Sequence, residues 1–257
     1  SGVRTAPRYY DYQVMLNKKF GKDHELRFFF FGSDDKFEIF SSDGGGDFVL
    51  GGGFRFSTTF WRFQTRYFNQ INDKTRITAV AAIGQDNLSF NLGPNYLELL
   101  TWNVSGRAEV SHKLGRMLTA HAGIDILHSP FDIAVRFPPF RREGEPDSGL
   151  NQPSVTTTTT GGTYTPAAYA EFEVQPWTGA RFVPGMRVDY LKFREANAHT
   201  SGWDVSPRIT ARQELTRTGP KTTLKAGAGL FYQPPQPQEM DAVFGRANLK
   251  SNRSVHY

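Results

Sequence analysis

The chain has 257 residues, including 25 glycines, 14% aromatic residues and no cysteine, and carries a formal net charge of +5. Without cysteine it has no disulfide framework, no Cys-ligated zinc and no thiol chemistry. Its charged residues, 21% of the chain, mix both signs throughout, which excludes the clustered basic face that nucleic-acid binding requires.

No window holds the roughly 18 consecutive apolar residues of a membrane helix. A mean hydropathy of -0.48 still suits a membrane protein that crosses with strands, because only alternate residues then meet lipid. The start, SGVRTAPRYY, lacks the apolar region of a signal peptide, so it reads as a mature or internal beginning.

The first element is a strand over about Arg8 to Phe20, with Tyr10, Tyr12, Val14 and Leu16 on one parity and Asp11, Gln13, Met15, Asn17 and Lys19 on the other. A tight turn at Gly21 to His24 leads to a strand over Glu25 to Gly32, centred on FFFF, and then to a Gly- and Asp-rich connector from Ser33 to Gly53. Phe56 to Asn69 sets Trp61, Phe63, Thr65 and Tyr67 against Arg62, Gln64 and Arg66. After a turn at Asn72 to Lys74, Arg76 to Gly84 carries Ile77, Ala79, Ala81 and Ile83 on its apolar parity. A medium loop is expected over Gln85 to Leu97.

Leu99 to Lys113 and Arg116 to Leu127 form the next pair, joined at Leu114 and Gly115. The stretch from His128 to Thr165 reads as the longest irregular segment, with FPPFRREGEPDSG and the low-complexity run VTTTTTGG. Strands follow at Ala167 to Gln175, Arg181 to Lys192, Trp203 to Leu215 and Thr222 to Tyr232, with another at Arg253 to Tyr257. The one helical candidate is Gln238 to Phe244, inside a loop.

Alternation with period two puts successive side chains on opposite faces. A soluble sandwich shares that pattern, but three features point to a transmembrane barrel. The strands run to ten residues or more, the length of membrane strands rather than the five or six typical of globular sheets. Aromatic residues gather near strand ends, at Tyr9, Tyr10, Tyr12, Trp61, Tyr67, Trp102, Trp177, Tyr190, Trp203 and Tyr232, as interfacial girdles do. Tight and long connectors alternate, as between periplasmic turns and extracellular loops. The expected fold is therefore all-β, a transmembrane antiparallel β-barrel showing ten to eleven strands.

The polar parity assigns candidate lumen-facing residues: Arg62, Arg66, Arg107, Glu109, Asp125, Glu171, Arg187, Asp189, Arg208, Arg212 and Lys225. So many ions do not fit a small, side-chain-filled barrel, so the lumen is expected to be wide and either wet or plugged. The plainer alternative is that these charges pair across neighbouring strands and serve rigidity. In the longest connector, Arg136, Phe137, Phe140, Arg141 and Arg142 are candidate ligand contacts, combining bidentate charge with stacking; the alternative there is a solvated or lipopolysaccharide-facing loop. No catalytic constellation assembles, and same-parity His121 and Asp125 lie about 13 Å apart along a strand, too far to share a metal. No enzyme activity, metal site or cofactor is expected.

Three segments resemble the TonB-dependent outer-membrane transporters. They are PRYYDYQVMLNKKFGKDHELRFFFFGSDD, then FVPGMRVDYLKF followed by WDVSPRITARQEL, then TTLKAGAGLFYQPPQPQEM with a closing RSVHY. The matching positions are Pro184, Gly185, Arg187, Asp189 and Tyr190, then Ser206, Pro207 and Arg208, then Lys225, Gly229, Tyr232, Gln233 and Pro234. The resemblance implies a barrel of twenty-two strands with an N-terminal plug and a TonB-engaging box, of which residues 1–257 would be one partial barrel domain. The alternative is that NLKSNRSVHY is a true last strand.

The implied function is active uptake of a scarce nutrient such as a metal chelate across the cell outer membrane. Its implied partners are outer-membrane lipid and lipopolysaccharide, a small ligand, and TonB through a part of the protein not in this chain. The functional alternative is a structural or secretory barrel component with protein partners in an envelope assembly.

Overall fold

The computed structural model describes residues 3–41, 53–138, 153–195, 199–216, 219–220, 222–240, 246 and 249–257. Twelve strands form one antiparallel sheet: β1 (Val3–Phe20), β2 (His24–Ser41), β3 (Phe54–Gln70), β4 (Thr75–Leu92), β5 (Asn95–Lys113), β6 (Leu118–Phe137), β7 (Val155–Tyr164), β8 (Ala167–Val174), β9 (Ala180–Glu195), β10 (His199–Glu214), β11 (Thr223–Gln233) and β12 (Asn252–His256). A single helical turn, α1 (Pro237–Met240), lies between the last two.

Neighbours in sequence are neighbours in the sheet, except that β7 and β8 share one position between β6 and β9. The two keep a common register, since Tyr164 faces His128 and Ala167 faces Asp125. Leu127 and Thr165 exchange backbone hydrogen bonds of 3.2 and 2.8 Å across the gap. They are thus one strand interrupted at Pro166, which has no N–H to donate to the ladder but still accepts from the Tyr190 amide at 2.9 Å.

The turn ends of the strands fall where alternation places them, but the opposite ends run further than expected. β4 and β5 meet at a two-residue link, Gly93 and Pro94, in place of the loop expected over Gln85 to Leu97. Gly93 adopts φ 57°, which a side-chain-bearing residue rarely does, and this lets so short a link close. β6 continues to Phe137 and β7 occupies Val155–Tyr164, so the whole of the run VTTTTTGG is strand and not irregular chain. β9 and β10 are separated only by residues 196–198. The strict alternation of tight and long connectors therefore fails at two of the five connections on this side, because the strands go on pairing until they meet.

The physical reason is an inversion of hydropathy within each strand. In β6, Ala120, Ala122, Ile124 and Ile126 lie on one face, and further on Phe131, Ile133, Val135 and Phe137 lie on the other, with the register to β5 and to β7–β8 unbroken. β4 changes from Ile77, Ala79, Ala81 and Ile83 to Leu88, Phe90 and Leu92; β3 changes from Tyr67, Phe63 and Trp61 to Phe60, Phe56 and Phe54. In the turn half, apolar residues face out to lipid and polar ones face in. In the far half, the outward face is polar and the inward face apolar.

The change occurs at a ring of outward aromatics. Trp61 and Trp102 pack edge to face at 5.8 Å, Tyr12 and Phe30 stack at 5.7 Å, and Tyr190 and Trp203 lie 4.8 Å apart. An 18-residue strand such as β4 spans ~60 Å along its length, which at a tilt of ~40° rises ~45 Å, more than the ~30 Å hydrocarbon core. The half beyond the aromatic ring stands in water on the side of the connectors 42–53, 138–154 and 234–251.

Candidate functional site: a two-tier inner wall

Register places all eleven predicted lumen residues on one face, the inner face of the sheet. The structure joins most of them through ion pairs and hydrogen bonds. Arg107 on β5 grips Asp125 on β6 with two hydrogen bonds, Nε to Oδ1 at 2.5 Å and Nη2 to Oδ2 at 2.7 Å. Arg187 on β9 reaches across β8 to the same Asp125 and also donates from Nε to Asp189 Oδ1 at 2.9 Å. The charges alternate in sign from β5 to β9, so Asp125 is shared and each guanidinium is held in a fixed fork.

Tyr169 on β8 lies over Gly123, where a Cβ would come within 2.5 Å of the ring. Its hydroxyl donates to Glu109 at 2.7 Å, and the Arg107 guanidinium sits 5.6 Å from its ring centroid. Glu109 also accepts from Ser111, which is hydrogen-bonded to His121 at 2.8 Å. Arg208 pairs with Glu171 at 3.0 Å, Arg181 with Glu173 at 2.5 Å and Arg212 with Glu214 at 3.0 Å. Arg66 and Lys225 have no acidic partner among the described residues. Nine of the eleven thus have an ion-pair or hydrogen-bond partner, seven of them on another strand and Asp189 and Arg212 on their own, in a wall that remains open to solvent.

Above this tier runs a polar seam. Arg62 donates to both oxygens of Asp86, at 2.8 and 2.6 Å; Asn103 donates to Asp86 at 2.7 Å; and Ser129 donates to Asn103 at 2.8 Å. Gly84 allows it, since a Cβ there would collide with the Arg62 side chain.

Above the seam the inner wall is largely apolar, with Asn95, Thr159 and Glu195 the buried polar residues on it. Phe131, Ile133, Val135 and Phe193 are buried, with Leu97, Leu99 and Phe137 packed against them. Aromatic rings continue along the same tier through contacts Phe37–Phe54 at 6.0 Å, Phe54–Phe90 at 5.4 Å and Phe90–Phe137 at 6.2 Å. The segment after β11 folds over this wall, placing Met240 at 0% exposure in the cluster, with Leu249 beside it.

The loop placement of two of the five predicted ligand contacts is corrected here. Arg136 and Phe137 are strand residues of β6, with Arg136 exposed on the outer face and Phe137 inside, so adjacent positions point to opposite sides. Phe140, Arg141 and Arg142 lie outside the described residues. Sequence reasoning missed Leu97, Leu99, Ile133, Phe193 and Met240; the signal available was the second, shifted apolar alternation within each strand.

Among the described residues no three potential metal ligands gather, and no helix is long and apolar enough to cross a membrane. The geometry defines a strand-crossing outer-membrane β-barrel wall with a charged lower lumen and an apolar mouth. The family model for TonB-dependent receptor-like β-barrels matches residues 2–257, and the chain belongs to that family, whose members reside in the outer membrane.

Solved structures of similar fold include the FpvAI–pyocin S2 complex, at TM-score 0.72 and 12% identity over 98% of this chain and 38% of that one. The FrpB iron transporter from Neisseria meningitidis has TM-score 0.61 and 13% identity over 88% of this chain and 37% of that one. The ferric-catecholate import receptor Fiu from K12 E. coli has TM-score 0.59 and 13% identity over 89% of this chain and 44% of that one. The chain spans less than half the length of each. No curated protein sequence matches it.

Proposed function

We propose that this chain forms part of the wall of a transporter that takes up a scarce nutrient, such as a metal chelate, with energy supplied through TonB. The observation that supports this reading is the two-tier inner wall: an aromatic mouth at the outer end and a charged, solvent-open lumen beneath it. Aromatic faces bind the flat, delocalised groups of a chelate and lose little entropy in doing so. The alternating ion pairs below offer a cargo fixed charges of both signs and no deep trap.

The ligands named for the similar structures, a ferric catecholate and iron, make ferric chelates the first class to test. The eleven inward charges and the mouth residue Phe137 are the residues assigned to passage and capture. Arg136, on the outer face, has no part in it.

The test is uptake of radiolabelled ferric chelates by cells expressing the full-length receptor, with and without TonB. Uptake that requires both supports the proposal. Uptake indifferent to TonB overturns it, as does purification in stoichiometric complex with envelope proteins and no growth phenotype on chelated iron, which would favour an assembly role.

A further inference from the structure

β7 outruns its neighbour at the rim. Beside it β9 ends at Glu195, which faces Gly161, and Arg194 already faces His199 on β10. Residues Val155–Thr160 of β7 therefore pair with β6 on one side and, among the described residues, with nothing on the other. Leu127 and Thr165 exchange both of their backbone hydrogen bonds, so in this antiparallel register the odd-numbered residues of β7 bond to β6 and the even-numbered ones turn their N–H and C=O away from it. Pro166 obeys the same rule, accepting from the Tyr190 amide on the β9 side. Thr156, Thr158 and Thr160, all exposed, thus each present an N–H and a C=O along an open edge about 20 Å long.

Sheet edges are ordinarily blunted by a lysine, a proline, a bulge or an inward-pointing charge. Val155–Thr160 carries no charge and no proline, keeps an unbroken register to β6, and consists wholly of β-branched residues, which favour strands. At its foot, where β9 stops, lies a groove of about 570 Å3 lined by Thr160, Gly161, Gly162, Arg194 and Glu195 among others. Arg194 stands on the outward parity of the column that an added strand would continue, with His199 beside it on β10, and Arg136 stands outward next to Thr156 at the head. Both arginines are exposed, and neither has an acidic partner among the described residues. The acid nearest in register is Asp132, which accepts a hydrogen bond from Thr160 at 2.7 Å. On the inward parity an added strand would continue the apolar wall of Phe131, Ile133 and Val135.

We infer that this edge binds an extended segment of another protein, added to the sheet as an antiparallel strand with acidic side chains on its outward parity and apolar ones on its inward parity. Backbone hydrogen bonds to Thr156, Thr158 and Thr160 hold the segment, and its alternate side chains select it. An acid facing Thr160 stands one outward step, about 6.7 Å, above Arg194, and one facing Thr156 lies one strand away from Arg136. A second copy of the chain fits less well, because barrels in one membrane rise in the same direction and could offer β7 only a parallel partner. Nothing in this recognition depends on what the barrel transports, so it is tested separately from uptake.

The test uses the full-length receptor in detergent and four fluorescent peptides read by anisotropy: acetyl-VEVEVE-amide, its lysine counterpart acetyl-VKVKVK-amide, and two forms of the acidic peptide N-methylated at every Glu or at every Val. Opposed residues share a face, so the Glu amides are the ones that meet Thr156, Thr158 and Thr160. Methylating them should abolish binding, whereas methylating the Val amides should preserve it. Arg194→Gln should weaken the acidic peptide about three- to five-fold, and Thr158→Pro, which removes an edge donor, about ten-fold. Heat-dependent gel mobility verifies that each variant is a folded barrel, and the methylated pair needs no variant at all. Equal binding of the two methylated forms, or of the acidic and lysine peptides, overturns the inference. So does the absence of binding up to about 1 mM, which would give the edge to the receptor's own chain, or a receptor dimer that Thr158→Pro dissociates, which would give it to a second copy.

Discussion

Phe131 and Phe193 stack with ring centroids 5.7 Å apart and planes within 19°, although β7 runs between their strands. They meet over Gly161, where a Cβ would lie 2.5 Å from the Phe131 ring and 2.8 Å from the Arg194 carbonyl oxygen. A residue drawn from a low-complexity run therefore organises the apolar mouth. Gly161→Val should push Phe131 off its partner and cost about 1–3 kcal/mol through overpacking, seen as a lower urea midpoint of the folded barrel. An unchanged midpoint would mean that the stack is not what holds this tier together.

The inversion of hydropathy predicts opposite responses to a lysine on one outer surface. Ile124→Lys, on the lipid-facing half of β6, should destabilise the barrel by about 2–4 kcal/mol. Thr158→Lys, outward on β7 beyond the aromatic ring, should lie within about 0.5 kcal/mol of the parent. Equilibrium unfolding in lipid vesicles measures both. Equal penalties at the two sites would place the membrane boundary elsewhere.

Asp125 receives two arginines, from β5 and β9. Asp125→Asn should therefore leave Arg107 without its hydrogen-bonded carboxylate and Arg187 with Asp189 alone, and cost about 1.5–3 kcal/mol. Adding Arg107→Gln to that variant should cost much less than it does alone, because the partner is already gone. A double-mutant cycle in reconstituted vesicles measures this coupling; strict additivity would show the pair to be energetically idle, as exposed ion pairs often are.

Met240 is wholly covered, in a segment otherwise outside the sheet. Met240→Asn should release that segment from Phe131, Ile133 and Phe193, exposing an apolar patch and its own chain. Stronger binding of an apolar fluorescent dye and faster proteolytic cleavage between residues 234 and 251 are the expected signs. Parent-like values for both would show that the cover is held by something else.

Much of this is legible along the chain. Alternation from Leu118 to Leu127 and from Trp203 to Leu215 locates strands, and its parity sorts Arg107, Asp125, Arg187 and Arg208 together, which the strand register brings to one face. The pattern fails from Gln85 to Leu97 and from His128 to Thr165. There the chain leaves lipid for water, so the apolar residues move to the opposite parity, and a single continuous period no longer fits. Leu88, Phe90 and Leu92 look like scattered apolar residues of a loop, as do Phe131, Ile133 and Val135, until pairing shows that each series shares a face.

Strand class, lipid-facing parity and the tight-turn ends follow from the chain alone, because a period of two and turn chemistry are local properties of the backbone. Which charges meet, that Phe131 reaches Phe193 across Gly161, and that Met240 closes over them emerge only from the assembled sheet. Those contacts join residues far apart in the chain, and they depend on strand register and on glycines that leave space, neither of which any local pattern records.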